Sequence, residues 1–416
     1  MAKNVFFFGM LAFFVSVMSC NLTSAQEIGS SRLAKVLVGR NQMLRLQALA
    51  PLQNDVAAKI AALDDLTYAL RTHAEQITEG RELEQSTVEL VRVLASIDRD
   101  DARQVLIEML DCDEPAVAMI CAEILGRHKV FDAIDSLKGQ VERPEWKNHY
   151  GFRFNLIHSL AQMEHPDTYE FMRLIERRID GQLRHELNTI FDKVTVEDFG
   201  GDQERFDRWK SEPAKPKTEV KLQRVSYTDP KNRIKLARAH YYGIDIHAKR
   251  SLFIIDHSGS MNAPMYGGSR LTRAKHELIR VINELPEEDE FGIMFFECQV
   301  RYWKRHLLKA TEKNKKEAIR FISNLGSGGN TNTYGALRGS LDFDDDLEAV
   351  FFLSDGIPTT GRITSPGLIV KDIVLKNRLR YLKINTIGIG VTYPTRTFLK
   401  TLAESCGGEY SEVNNR

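Results

Sequence analysis

Three short polar segments carry the chemistry open to this sequence. Asp256-His257-Ser258-Gly259-Ser260 has the pattern D-x-S-x-S, Gly328-Gly329-Asn330-Thr331 is a glycine-rich loop ending in a hydroxyl, and Ser354-Asp355-Gly356 adds a second acid. Their side chains offer hydroxyl and carboxylate oxygens, hard donors that suit Mg²⁺, Mn²⁺ or Ca²⁺, and no set of cysteines or imidazoles competes for a softer ion. With three neutral hydroxyls in the set, only two carboxylates answer the charge of such an ion. It then favours an added anion, such as the carboxylate of a protein ligand. That is binding chemistry rather than turnover. Ser258 lacks the Gly at position 256 that a G-x-S-x-G elbow requires, and His257 has no third member beside it. His257 reads as a loop residue pointing outward. Neither G-x-x-x-x-G-K-[ST] nor a helix-opening G-x-G-x-x-G is present, so nucleotide binding has no support.

Each segment alone is weak, because Ser, Asp and Gly after a strand commonly mark a turn. Their weight comes from the elements that would position them. Ser251 to Ile255 is a short, wholly apolar run ending at Asp256, as in a parallel strand covered on both faces. Leu271, Ala274, Leu278, Ile282 and Leu285 mark one face of a helix. Strands are predicted over Phe291–Phe296, Glu348–Leu353, Asn385–Ile389 and Glu409–Val413, with an edge return at Gln299–Trp303. Helices are predicted over Glu312–Leu325, Tyr334–Leu341, from Pro366 and over Phe398–Ser405. Alternation of this kind builds an α/β, doubly wound and mostly parallel sheet, which binds ligands outside the carboxyl ends of its strands. All three polar segments fall there.

Residues 248–416, by the order of these motifs, the strand pattern and the closing Leu402-Ala403-Glu404…Gly407-Gly408-Glu409-Tyr410, resemble the von Willebrand factor type A domain with its metal-ion-dependent adhesion site. The resemblance implies that Ser258, Ser260 and Thr331 bind a divalent cation directly, Mg²⁺ foremost, while Asp256 and Asp355 act largely through waters. One departure is visible. The family usually has Gly-Gly-Thr, whereas Asn330 intervenes here before Thr331; Ala336-Leu337 keeps the family's distance from Thr331, with Thr333 as the fallback. The family's strand order puts Cys298 and Cys406 on opposite sides of the first strand, so no disulfide joins them.

From residue 30 to 210 the periodicity is helical throughout. Leu94-Ala95, Leu125-Gly126 and Leu160-Ala161 align as repeats, each followed seven residues on by Asp101, Asp132 or Asp167 and twelve residues on by Leu106, Leu137 or Met172. The Leu would end a first helix, the Asp would open a second, and the later apolar residue would close over the stack. The segment Glu114 to Gly126, with Pro115 in its first turn, resembles a HEAT-repeat first helix, with Val130–Val141 as its partner. This all-α half reads as a scaffold that could dock a second partner.

The whole chain is thus read as multidomain: an N-terminal leader, helical repeats over 30–210, a linker and lead-in over 211–247, and the sheet domain over 248–416. Lys+Arg and Asp+Glu both total 57, so no net charge drives the chain towards nucleic acid or an anionic membrane. Five cysteines are too few for a disulfide scaffold. The apolar run Val5 to Met18 is too short to span a membrane but fits the core of a secretory signal. Cleavage after Ala25 would release the chain. The lipobox-like Val17-Met18-Ser19-Cys20 offers lipid attachment at Cys20 instead, ending the leader at Ser19. Either route exports it to the periplasm or cell envelope, where it meets a membrane only through signal or lipid. The expectation is an exported, metal-dependent binding protein and not an enzyme.

Overall fold

The computed structural model describes residues 31–211 and 239–413. The leader, Cys20 and most of the linker lie outside the described residues. The chain divides into two compact units. One contains residues up to Arg143 together with His158–Tyr169; the other contains Pro144–Ile157 and Glu170 onward. The second unit thus holds helical residues 144–157 and 170–211 as well as the sheet.

The described part of the first unit is all helical. Pro115–Arg127 is a helix with Pro115 in its first turn and the Glu114 carboxylate accepting from Ala116 N at 3.1 Å, which satisfies an end N–H. Asp101 lies in the first turn of the Asp100–Glu108 helix, and Asp167 in that of Pro166–Ile175. The partner expected over Val130–Val141 is not one helix but three pieces, Phe131–Ala133, Ile134–Gly139 and Gln140–Glu142, the outer two of 3₁₀ type. Gly139 is a poor helix former at the point where the turn tightens.

Gly126, at the repeat position held elsewhere by alanine, has a packing reason. A Cβ there would lie 2.4 Å from the carbonyl oxygen of Ser159. Gly126→Ala is expected to lower the stability of this unit by about 1–3 kcal/mol. Amide hydrogen exchange over 115–127 should accelerate relative to the wild type.

In the second unit, seven strands form the principal sheet: β1 (Arg250–Asp256), β2 (Glu290–Phe296), β3 (Val300–Tyr302), β4 (Leu308–Lys309), β5 (Ala349–Ser354), β6 (Lys383–Ile389) and β7 (Tyr410–Val413). The order is β7-β6-β5-β1-β2-β3, with β4 also on β2. β1, β2, β5, β6 and β7 run parallel, while β3 and β4 return antiparallel. Residues 251–255 and 349–353 are fully buried because helices cover both faces, which is why these strands are apolar runs rather than alternations. The helix Arg270–Glu284 starts at Ser269, whose hydroxyl accepts from Thr272 N at 3.1 Å, and buries Leu271, Ala274, Leu278, Val281 and Ile282. The last helix begins at Tyr393, earlier than expected, with Pro394 suited to its first turn. Cys298 and Cys406 are free thiols, one following β2 and the other preceding β7 across the central strand.

Candidate functional site

Register alone begins the site. β1 pairs with β5 so that Ile255 faces Leu353, which leaves Asp256 beside Ser354 at the carboxyl end of the sheet. Ser354 Oγ donates to Asp256 Oδ2 at 2.6 Å, and Asp256 Oδ1 accepts the Ser258 backbone N–H at 2.8 Å. Asp256 therefore holds the turn of its own loop and ties it to the neighbouring strand. Its carboxyl is fully buried, and burial pushes its pKa up to about 6 despite the donors from Ser354 and Ser258.

A line of oxygens runs outward from there. Ser258 Oγ and Ser260 Oγ share a hydrogen bond of 3.2 Å, and Ser260 Oγ donates to Asp355 Oδ1 at 2.8 Å. A Cβ built on Gly356 would lie 3.8 Å from Ser260 Oγ and 3.9 Å from Thr331 Oγ1, so both hydroxyls lie within 4 Å of one point. Thr333 is not among the atoms near that point. It starts the helix Thr333–Leu341, with its Oγ1 buried and without a hydrogen-bond partner among the described residues.

The glycine-rich loop is stitched to the first loop through backbone. Gly259 N donates to Gly329 O at 3.1 Å and Gly328 N to His257 O at 2.9 Å. Gly329 has φ +75°, and a Cβ there would meet Glu297 Oε2 at 2.0 Å. The positive φ is what favours glycine, since the Glu297 carboxylate sits at the end of a flexible side chain. Asn330, the inserted residue, donates its N–H to Cys298 Sγ at 3.2 Å. Thr331 is held from the third loop: its N–H reaches Thr359 Oγ1 at 2.9 Å, and its carbonyl accepts from Thr359 N at 3.0 Å.

His257 does not point outward as expected. It is 4% exposed, with Nδ1 2.9 Å from the Gly326 carbonyl, which places a proton on that nitrogen. Burial lowers its pKa and keeps the ring neutral. The carbonyl of Gly326, which accepts a hydrogen bond from Nδ1–H, fixes the loop. Ser354, Thr359 and Arg270 also belong to the site, and the sequence reading did not assign them. Arg270 Nη1 donates to Asp355 Oδ2 at 2.6 Å across 85 positions of sequence. Only the strand order could have joined those two.

The five residues read from sequence thus fall on three loops at one end of the sheet. The donor set fits a divalent cation: every group is a hard oxygen, and the gap at Gly356 is one that a side chain there would fill. Among the described residues, no group of three or more His, Cys, Asp and Glu side chains is placed to hold an ion.

Residues 251–357 match the family model of the von Willebrand factor type A domain. Among curated proteins, the chain is 28% identical over 173 residues to inter alpha-trypsin inhibitor, heavy chain 4 of Mus musculus, covering 39% of this chain and 17% of that protein. It is 37% identical over 98 residues to inter-alpha-trypsin inhibitor heavy chain H3 of Homo sapiens, covering 23% of this chain and 10% of the relative. The chain therefore spans less than a fifth of the length of these relatives. Among solved structures, a von Willebrand factor type A protein from Catenulispora acidiphila aligns at 19% identity and a TM-score of 0.35 over 41% of this chain and 40% of that one. Proximal thread matrix protein 1 from the mussel byssus, with a zinc-occupied MIDAS motif, aligns at 15% identity and a TM-score of 0.31 over 40% of this chain and 43% of that one.

Proposed function

We propose that this chain, whose residues 251–357 carry a von Willebrand factor type A domain, captures an acidic group of a protein ligand through a divalent cation. Domains of this family are protein-interaction modules, and a protein partner follows from that. The hydroxyls of Ser258, Ser260 and Thr331 would hold the ion, with Mg²⁺ first and Mn²⁺ or Ca²⁺ as alternatives. Asp256 and Asp355 would orient them and supply charge. The ion, when bound, would contribute an unfilled positive position to an incoming carboxylate. The carrying observation is the oxygen line from Ser258 through Ser260 to Asp355, with Thr331 brought to the same place by a separate loop.

A non-enzymatic role is supported by the surroundings of Ser258. Its hydroxyl bonds Ser260 rather than a base, and the neighbouring His257 is tied through Nδ1 to the Gly326 carbonyl instead of to Ser258. Export, with or without a lipid on Cys20, is part of the proposal and rests on the leader's composition. Among the described residues no helix is long and apolar enough to cross a membrane.

The helical unit supports a second reading, a scaffold that binds without metal. A groove of about 620 Å³ there is lined by Ile97, Arg103, Lys129 and Phe131, and Phe131 is 52% exposed. Chelation separates the two. The full chain, immobilised and exposed to envelope extract in Mg²⁺, should lose its captured protein in EDTA and regain it when Mg²⁺ returns. Capture indifferent to EDTA would refute the metal-dependent reading and favour the helical groove.

A further inference from the structure

The two carboxylates of the site are not equivalent. Among the described residues, Asp256 accepts from two neutral donors, Ser258 N and Ser354 Oγ. Asp355 has both oxygens occupied: Oδ1 by Ser260 and Oδ2 by the guanidinium of Arg270 at 2.6 Å. The Asp355 side chain is fully buried while that of Arg270 is 23% exposed, so the cation closes the site from its rim.

A second observation shows that this place is built. Gly390, just beyond β6, has φ +61°, and a Cβ on it would lie 2.6 Å from Arg270 Nε and 2.9 Å from its Cζ. The backbone there leaves room for a guanidinium and for little else. Arg270 itself is the first residue of the Arg270–Glu284 helix, whose Ser269 cap fixes where the side chain begins. Strand end, cap and glycine converge on one arginine.

We propose that Arg270 is a specificity-determining cation of this site, one that opposes metal entry and keeps the filled site positive. The inference rests on the reading that the site holds a divalent ion. A positive charge beside one carboxylate oxygen weakens that carboxylate for a second cation and repels it directly. Two carboxylates and one guanidinium carry a formal charge of −1, so a divalent ion brings the site to +1, where without Arg270 it would be neutral. The remaining charge is what an acidic ligand answers, and the part-exposed guanidinium is a fork suited to a carboxylate.

The test uses the full chain, Mn²⁺ alone followed by electron paramagnetic resonance, and then a short oligo-glutamate probe in saturating Mn²⁺. Arg270→Gln is expected to bind Mn²⁺ roughly tenfold more tightly, and oligo-glutamate roughly tenfold more weakly, than the wild type. Arg270→Met should do the same. Arg270→Lys, which keeps the charge, should stay near the wild type for Mn²⁺. The opposite signs matter, because damage to the loop would weaken both. Unchanged or weaker Mn²⁺ binding by Arg270→Gln and Arg270→Met, with the wild type binding normally, overturns this inference and leaves the metal reading standing. Absence of Mn²⁺ binding by the wild type overturns both.

Discussion

Asp256→Ala is expected to abolish divalent-cation binding, lowering affinity more than 100-fold, and with it capture of the acidic ligand. The reason is position as much as charge. Asp256 Oδ1 fixes the Ser258 N–H and Oδ2 fixes Ser354 Oγ, so the alanine releases both the first loop and its tie to the third. A substitution at one hydroxyl, Ser258→Ala, removes a single donor and should weaken Mn²⁺ binding about 10–100-fold, the range seen for groups that support a metal site. The fold should survive Asp256→Ala. The apolar core of β1 is residues 252–255, and the polar site lies beyond it. Leaving the two donors unpaired costs about 1–3 kcal/mol each. Isothermal titration with Mg²⁺, alongside urea unfolding, separates lost binding from lost structure. Retained Mg²⁺ binding in the alanine variant would defeat the assignment of Asp256.

The second large effect is at the opposite end of the same two strands. Glu348, just before β5, is fully buried; its Oε1 lies 2.5 Å from Arg250 Nη2, and its Oε2 accepts from Gln182 N at 2.6 Å and Lys249 N at 3.2 Å. Arg250, the first residue of β1, also meets Asp180 at 2.8 Å and Asp346 at 3.2 Å. Gly181 has φ +57°, and a Cβ on it would fall 2.2 Å from Glu348 Oε2, so the chain must be glycine where it passes this carboxylate. Arg250→Ala would strand Glu348 without a cation and is expected to destabilise the sheet-bearing unit by about 3 kcal/mol. Glu348→Gln should do less, because Arg250 keeps its two aspartates.

The pH dependence has a definite sign. Burial pushes the Glu348 carboxyl up to about 7 against an ordinary value of 4.5, outweighing Arg250 and the two backbone donors. Between those values the folded protein holds a proton that the unfolded chain has released. Stability therefore falls as pH rises from about 4.5 to about 7 and levels off above. Buried Asp256 and half-buried Asp289, each raised to about 6, act in the same direction, so Glu348→Gln should reduce this slope without removing it. All three tryptophans, Trp146, Trp209 and Trp303, lie in the second unit, so their fluorescence during urea unfolding reports that unit. A slope unchanged in Glu348→Gln would show that this carboxyl does not titrate in the window.

The sequence alone determined the parts of this protein that depend on near neighbours. Short apolar runs such as Phe253-Ile254-Ile255 and Val350-Phe351-Phe352, rich in β-branched and aromatic residues, read as covered strands, and a turn residue after each marks where chain and solvent meet, so Asp256, Ser258, Ser260, Thr331 and Asp355 were legible as strand-end and pre-helix positions. Helical periodicity likewise gave the all-α character of residues 31–211, though not the break of 131–142 into three turns. The tertiary structure decided everything that depends on which strand lies beside which. Ser354 reaches Asp256 across 98 positions, Arg270 reaches Asp355 across 85, and Glu348 meets Gln182 across 166. It also turned His257 inward to Gly326, and set Thr331 rather than Thr333 beside Gly356. Periodicity records burial, which each residue feels through its immediate neighbours. Ion pairs and shared hydrogen bonds are set by distances of about 3 Å between side chains remote in sequence, and only the packed sheet fixes those.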